Sequence, residues 1–103
     1  MTLTTTERFG DKEFDVIGIV KGTTIQSVHI GKDIGSAFKT LVGGELHSYN
    51  EMLNHARALA TERMVKEAKS LGADAVVGVR YSSSSVMQAA AEIMVYGTAI
   101  RFR

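Results

Sequence analysis

The sequence predicts an α+β fold: a β-α-β-β core in which one long helix packs on a three-stranded antiparallel sheet, with a second, short helix beside it. Three observations carry this. Apolar residues recur at helical spacing from Tyr49 to Leu71, over about six turns. Segments rich in Val and Ile at 14–22, 75–79 and 92–102 have the alternation or the β-branched density of strands. At 103 residues, the chain has material for a single core, so residues 1–103 are expected to form one domain.

In chain order, residues 1–12 are polar, carry the run Thr4, Thr5 and Thr6, and read as an extended arm. FDVIGIVKG (14–22) places Phe14, Val16, Gly18 and Val20 on one face and Asp15, Ile17, Ile19 and Lys21 on the other. Apolar groups on both faces predict a strand covered on both sides over its middle. Thr23 to Ile30 keeps β-rich residues (Ile25, Val28, Ile30) with poor alternation, which predicts a short or irregular extended piece. Asp33 then reads as the N-cap of a short helix bearing Ile34, Ala37, Phe38, Leu41 and Val42, closed by Gly43 and Gly44.

Ser48-Tyr49-Asn50-Glu51 has the spacing of a capping box, in which the serine oxygen and the glutamate each satisfy a free amide of the first turn. The helix it opens carries Met52, Leu53, Ala56, Leu59, Ala60, Met64, Ala68 and Leu71 on one side and ends at Gly72. The glycines of SLGADAVVGVR (70–80) therefore follow a helix. A phosphate cradle runs the other way, from strand through glycines to the free amides of a helix N-terminus. Ala75 to Val79 reads as a buried strand, and Tyr81 to Ser85 as a polar turn whose serines form a flexible hairpin tip. Met87 to Glu92 suits helix by its alanines and strand by its position. The last strand is predicted from about Glu92 to Phe102, with Ile93, Val95, Gly97 and Ala99 on one side and Met94, Tyr96, Thr98, Ile100 and Phe102 on the other.

Composition narrows the function classes. Twelve basic and 11 acidic residues leave a net charge of +1, which gives no general pull toward nucleic acid or acidic membranes. Cysteine is absent, so thiolate metal sites, iron–sulfur clusters and cysteine nucleophiles are excluded. The amino end lacks a signal-peptide pattern, and no apolar run approaches the roughly 20 residues that span a bilayer. These features predict a cytoplasmic protein. Yet 45% of residues are apolar, high for so small a domain, which predicts that copies cover one another in a homo-oligomer.

No P-loop, H-E-x-x-H, G-x-S-x-G or G-x-G-x-x-G occurs, and no nucleophile–base pair or paired carboxylates can be read from spacing. A non-enzymatic role is expected. Of the three histidines (His29, His47 and His55), His55 lies one helical turn from Glu51. That pair could hold a divalent metal ion if a third donor came from elsewhere, and His29, in the extended piece, is a candidate at a subunit junction. The other reading of Glu51, His55, Glu62 and Lys66 is a solvated stripe of i, i+4 pairs. Arg63 and Glu67 fall inside the wide apolar arc of the long helix, with Arg57 at its border. A stripe of roughly 100° is enough for packing on a sheet, so the wider arc points to a subunit interface at which Arg63 and Glu67 pair. The alternative is a rim pair whose stems shield apolar surface while the charges reach water.

Several stretches together carry a resemblance: G-I-V-K-G at 18–22, Val-Gly-Gly at 42–44, Tyr49, Leu53, Ala56-Arg57, Ala60 and the LGADAVVGVR run. In these the chain resembles the YbjQ-like family of small bacterial and archaeal proteins, a family labelled heavy-metal-binding, over nearly its whole length. The resemblance implies a β-α-β-β core, a dodecin-like two-layer subunit and a homopentameric ring. The matching residues Tyr49, Arg57, Gly72, Asp74, Gly78 and Gly97 read as packing, capping and turn positions. The expectation is a pentameric, non-enzymatic domain that binds a divalent metal ion or a small ligand at subunit junctions. The alternative is a purely structural or protein-interaction ring.

Overall fold

The computed structural model describes residues 1–27, 47–87 and 90–103, with the side chains of His47 and Ser48 left out. The elements are β1 (Thr2–Leu3), β2 (Phe14–Ser27), α1 (His47–Ser70), β3 (Ala75–Met87) and β4 (Ala90–Phe102). They form an α+β fold with one long helix on a mixed four-stranded sheet of order β1-β3-β4-β2. The expected short helix at 33–42 and the part of the extended piece beyond Ser27 lie outside the described residues.

The sheet has one strand more than expected because the polar arm joins it. Thr2 and Leu3 pair in parallel with Ala75 and Val76. The Thr4 amide donates to Val76 O (3.0 Å), and Thr4 O and Thr6 O accept from the amides of Val79 and Gly78 (3.0 and 2.7 Å). Threonine is β-branched and fits a pleated surface, so a polar segment can still satisfy an edge.

β4 is the central strand, antiparallel to β2 over Phe14–Ser27 and to β3 over Ala75–Met87. The predicted strand 14–22 and the extended piece after it are one continuous strand as far as Ser27. Ser82 to Ser85 are not a turn: they pair with Met94, Ile93, Glu92 and Ala91, and Met87 pairs with Ala90. Serine is a weak strand former, yet the partner stretch of β4 supplies a complete ladder. On β4 the predicted alternation holds, with Ile93, Val95, Gly97 and Ala99 buried on the helix side.

Helix α1 lies over β2 and β4. Its buried stripe is narrow and mostly small: Met52, Ala56, Ala60, Met64 and Ala68, each four residues from the last. These meet Val20, Val76, Val79, Ile93, Val95 and Ala99 in the main core. Small residues let the helix backbone sit directly on β2 at Gly22. A Cβ there would stand 1.9 Å from Ala60 O and 2.6 Å from Met64 N. β2 is covered by the helix on one face only: Val20, Gly22 and Thr24 are buried, whereas Ile19 and Ile25 on the other face are exposed. An irregularity between Val16 and Gly18 shifts the alternation, which brings Ile17 to the helix side.

The helix spans His47–Ser70, and the Ser48 side chain of the expected capping box lies outside the described residues. Its C-terminus matches the prediction. Gly72 has φ +78°, its amide donates to Lys69 O (3.0 Å), and the Ala73 amide donates to Ala68 O (3.1 Å). This is the paired hydrogen-bond closure that glycine permits after a last helical turn. A second, smaller core of Ala75, Val77 and Ile100 lies under Phe9, Phe14 and Phe102.

Candidate functional site

Helix α1 has two flanks, and each reaches a different strand. On the β2 flank, Arg63 Nη1 donates to Thr23 O (2.7 Å), and Glu67 Oε1 accepts the Lys21 amide (3.0 Å). β2 is an edge strand, so these backbone groups point away from the sheet. A guanidinium and a carboxylate thus occupy two positions that a neighbouring strand would otherwise fill. Both residues were expected to meet each other; instead, each is held by the backbone of its own chain. On the β3 flank, Thr61 Oγ1 donates to Arg57 O (2.7 Å) and lies 2.8 Å from the Tyr81 hydroxyl. Arg57 itself is exposed and donates to Asn54 Oδ1, one turn back on the same helix.

The sheet face opposite the helix is open toward the β2 side. A shallow depression of about 370 Å³ there is lined by Glu7, Phe14, Val16, Val77, Arg80 and Thr98. Arg80 Nη1 is pinned at its rim by Thr5 O and Val79 O, both at 2.9 Å. The same face exposes Ile19, Ile25 and Tyr96.

Of the expected metal donors, Glu51 and His55 are both exposed on α1. His29 lies outside the described residues. Among the described residues no three His, Asp or Glu side chains come together as a metal site. Nor does any buried side-chain nitrogen or oxygen among them lack a hydrogen-bond partner. Glu51 and His55 are two donors, short of the four ligands usual for zinc, so the described residues of one copy do not fit a complete metal shell. Sequence reasoning missed the contacts of Lys21, Thr23 and Tyr81, because backbone partners and a tyrosine inside a presumed turn leave no periodic signal.

The profile of the YbjQ_1 family, described as "Putative heavy-metal-binding", matches residues 1–103. The chain belongs to the YbjQ family. Its relatives include a "UPF0145 protein" of Alkaliphilus metalliredigens, 61% identical over 102 residues that cover 99% of each chain. Another, from Thermotoga petrophila, is 56% identical over 102 residues, covering 98% of this chain and 96% of the relative. A crystal structure of a protein of unknown function from Pediococcus pentosaceus, assigned to the DUF74 family, superposes with a TM-score of 0.64. It covers 100% of this chain and 98% of its own, at 19% identity, and shows the shared fold. Within this YbjQ chain, several residues that carried the resemblance have structural work: Gly72 closes the helix, and Asp74 Oδ2 accepts the Phe102 amide (2.8 Å). At Gly97 a Cβ would stand 2.7 Å from Val76 Cγ1. Among the described residues of this YbjQ chain, no helix is long and apolar enough to cross a membrane.

Proposed function

We propose that this chain is a ring-forming cytoplasmic subunit, five copies arranged head to tail, which performs no chemistry itself and holds a small ligand or a divalent metal ion where copies meet. One observation supports the ring above others. The face opposite the helix leaves large apolar side chains in water, with Ile19 79% and Ile25 64% exposed. Apolar surface gathered on one face of a small domain marks a place where another molecule sits. The two flanks of α1 support a head-to-tail order. Arg57 stands on the β3 flank and Arg63 with Glu67 on the β2 flank, so all three meet at a junction between successive copies. The count of five follows from the family resemblance.

A metal ion at such a junction takes Glu51 and His55 from one copy and its remaining donors from the next. Light scattering tests the ring, with an expected mass five times the 11.1 kDa of one chain. Thermal melts of the same sample with zinc, copper and nickel test the metal. A stabilising shift that disappears in His55→Ala supports the junction site. The absence of any shift with all three metals removes it and leaves a ring with a structural or protein-binding role.

A further inference from the structure

Among the described residues, both edges of the sheet are closed at one end and open at the other, and the open ends lie at the same height. On the β3 edge, Thr4 and Thr6 occupy the outward groups of Val76, Gly78 and Val79. On the β2 edge, Glu67 and Arg63 occupy those of Lys21 and Thr23. Outward orientation alternates along a strand. The Lys21 amide and Thr23 carbonyl point out, so Ile25 and Ser27 do too; the Val79 amide points out, so Tyr81, Ser83 and Ser85 do as well. Among the described residues nothing pairs with these later groups.

The β4 register fixes the heights. Lys21 and Arg80 flank Tyr96 from either side, and Ile25 and Ser84 flank Glu92. The free stretches Ile25–Ser27 and Tyr81–Ser85 therefore stand level on opposite edges. β2 and β3 both run antiparallel to β4, so they are parallel to each other. A rotation about an axis along the strands carries one free edge onto the other.

We propose that the free half of β3 in one copy adds in parallel to the end of β2 in the next. Arg63 and Glu67 act as the stop on one side and Thr4 to Thr6 as the stop on the other. Unpaired strand edges recruit another strand, and a second copy supplies the complementary edge at the matching height. The contact uses different surfaces on its two sides, which is the geometry that closes into rings. This assignment rests on the ring reading and specifies which atoms make the junction.

Proline tests it, because proline removes one amide and is tolerated on an edge strand where that amide faces outward. Ile25→Pro and Ser83→Pro each delete an outward amide and leave the bonds to β4 in place. Each variant is expected to fall from the wild-type mass to that of a single chain by light scattering, with unchanged far-UV circular dichroism. An equal mixture is expected to give a two-chain species, joining the intact β3 edge of one variant to the intact β2 edge of the other. If the wild type is oligomeric and both variants keep its mass, the edge assignment falls and the ring reading stands. A wild type at single-chain mass removes both. A mixture that stays at single-chain mass overturns the pairing of the β3 edge with the β2 edge, and a single variant that stays associated replaces it with a junction between like edges. Should either variant fail to fold, amide exchange on the wild type decides: Ile25, Tyr81 and Ser83 are expected to exchange at least about tenfold more slowly than open strand amides, and free exchange at all three overturns the proposal.

Discussion

The first five residues of β3 and its last eight belong to one strand and share one partner, yet they live in different environments. Ala75, Val76, Val77 and Val79 are buried, and every residue from Arg80 to Met87 is exposed. The change falls at Gly78, where φ is +63° and the pairing with β4 shifts between Val77 and Arg80. Before that irregularity the strand is covered on both faces, by α1-side residues on one and by Phe9, Phe14 and Phe102 on the other. After it, from Arg80 on, no residue of β3 is buried, and the helix packs on β2 and β4. The rung formed by Gly22, Val95 and Tyr81 crosses this divide. At Gly22 the helix backbone touches the strand; at Tyr81 only a hydroxyl reaches the helix. Pairing and burial are thus separable: past its irregularities the ladder continues to Met87, while the core occupies less than half of β3.

The largest expected effect lies at the crowded end of that rung. Gly22→Val places side-chain carbon on top of the Ala60 carbonyl and the Met64 amide, and neither backbone group can rotate away. A loss of about 3 kcal/mol or more is expected in urea unfolding, at the upper end of overpacking costs. A loss below about 1 kcal/mol would mean that the helix rides further from β2 than the closest contacts require.

A smaller contrast tests the two halves of β3 directly. Val76 is wholly buried, so Val76→Ala removes core methyl groups and should cost about 2 kcal/mol. Ser84→Ala, in the exposed half, should change single-chain stability by no more than about 0.5 kcal/mol. Equal losses at both sites would show that something covers the second half as well as the first.

The same divide explains what the sequence disclosed. The long helix was legible because Met52, Ala56, Ala60, Met64 and Ala68 recur at fixed spacing, and Gly72 followed them where a C-cap belongs. β4 was legible because its buried and open residues alternate. The serines at 82–85 misled because burial, not pairing, writes a pattern into side chains, and here pairing persists without burial. The arm misled for a related reason: Thr2 to Thr6 contribute backbone groups to the edge of β3, and those are identical in every residue. Arg63 and Glu67 drew notice as charges within an apolar arc, but their partners, Thr23 O and the Lys21 amide, carry no residue-specific signature. Sequence therefore pointed to the residues on the helix and not to the strand edge that they hold.

The smallest expected effect lies at the bare end of the rung. Thr61 has one hydroxyl proton, and it goes to Arg57 O; Tyr81 must then be the donor in the bond between their hydroxyls. Tyr81→Phe removes that donor at a half-exposed site, where water can replace it, so the expected loss is about 0.5 kcal/mol. Thr61→Val removes the acceptor and also the bond to Arg57 O, so its own cost should be somewhat larger. Combining the two should cost less than their sum by roughly the Tyr81→Phe value, because the shared bond can be lost only once. Strict additivity in that cycle would show that the Tyr81 hydroxyl faces water in solution. The exposed half of β3 would then hang from β4 alone, with its helix side as free as its edge.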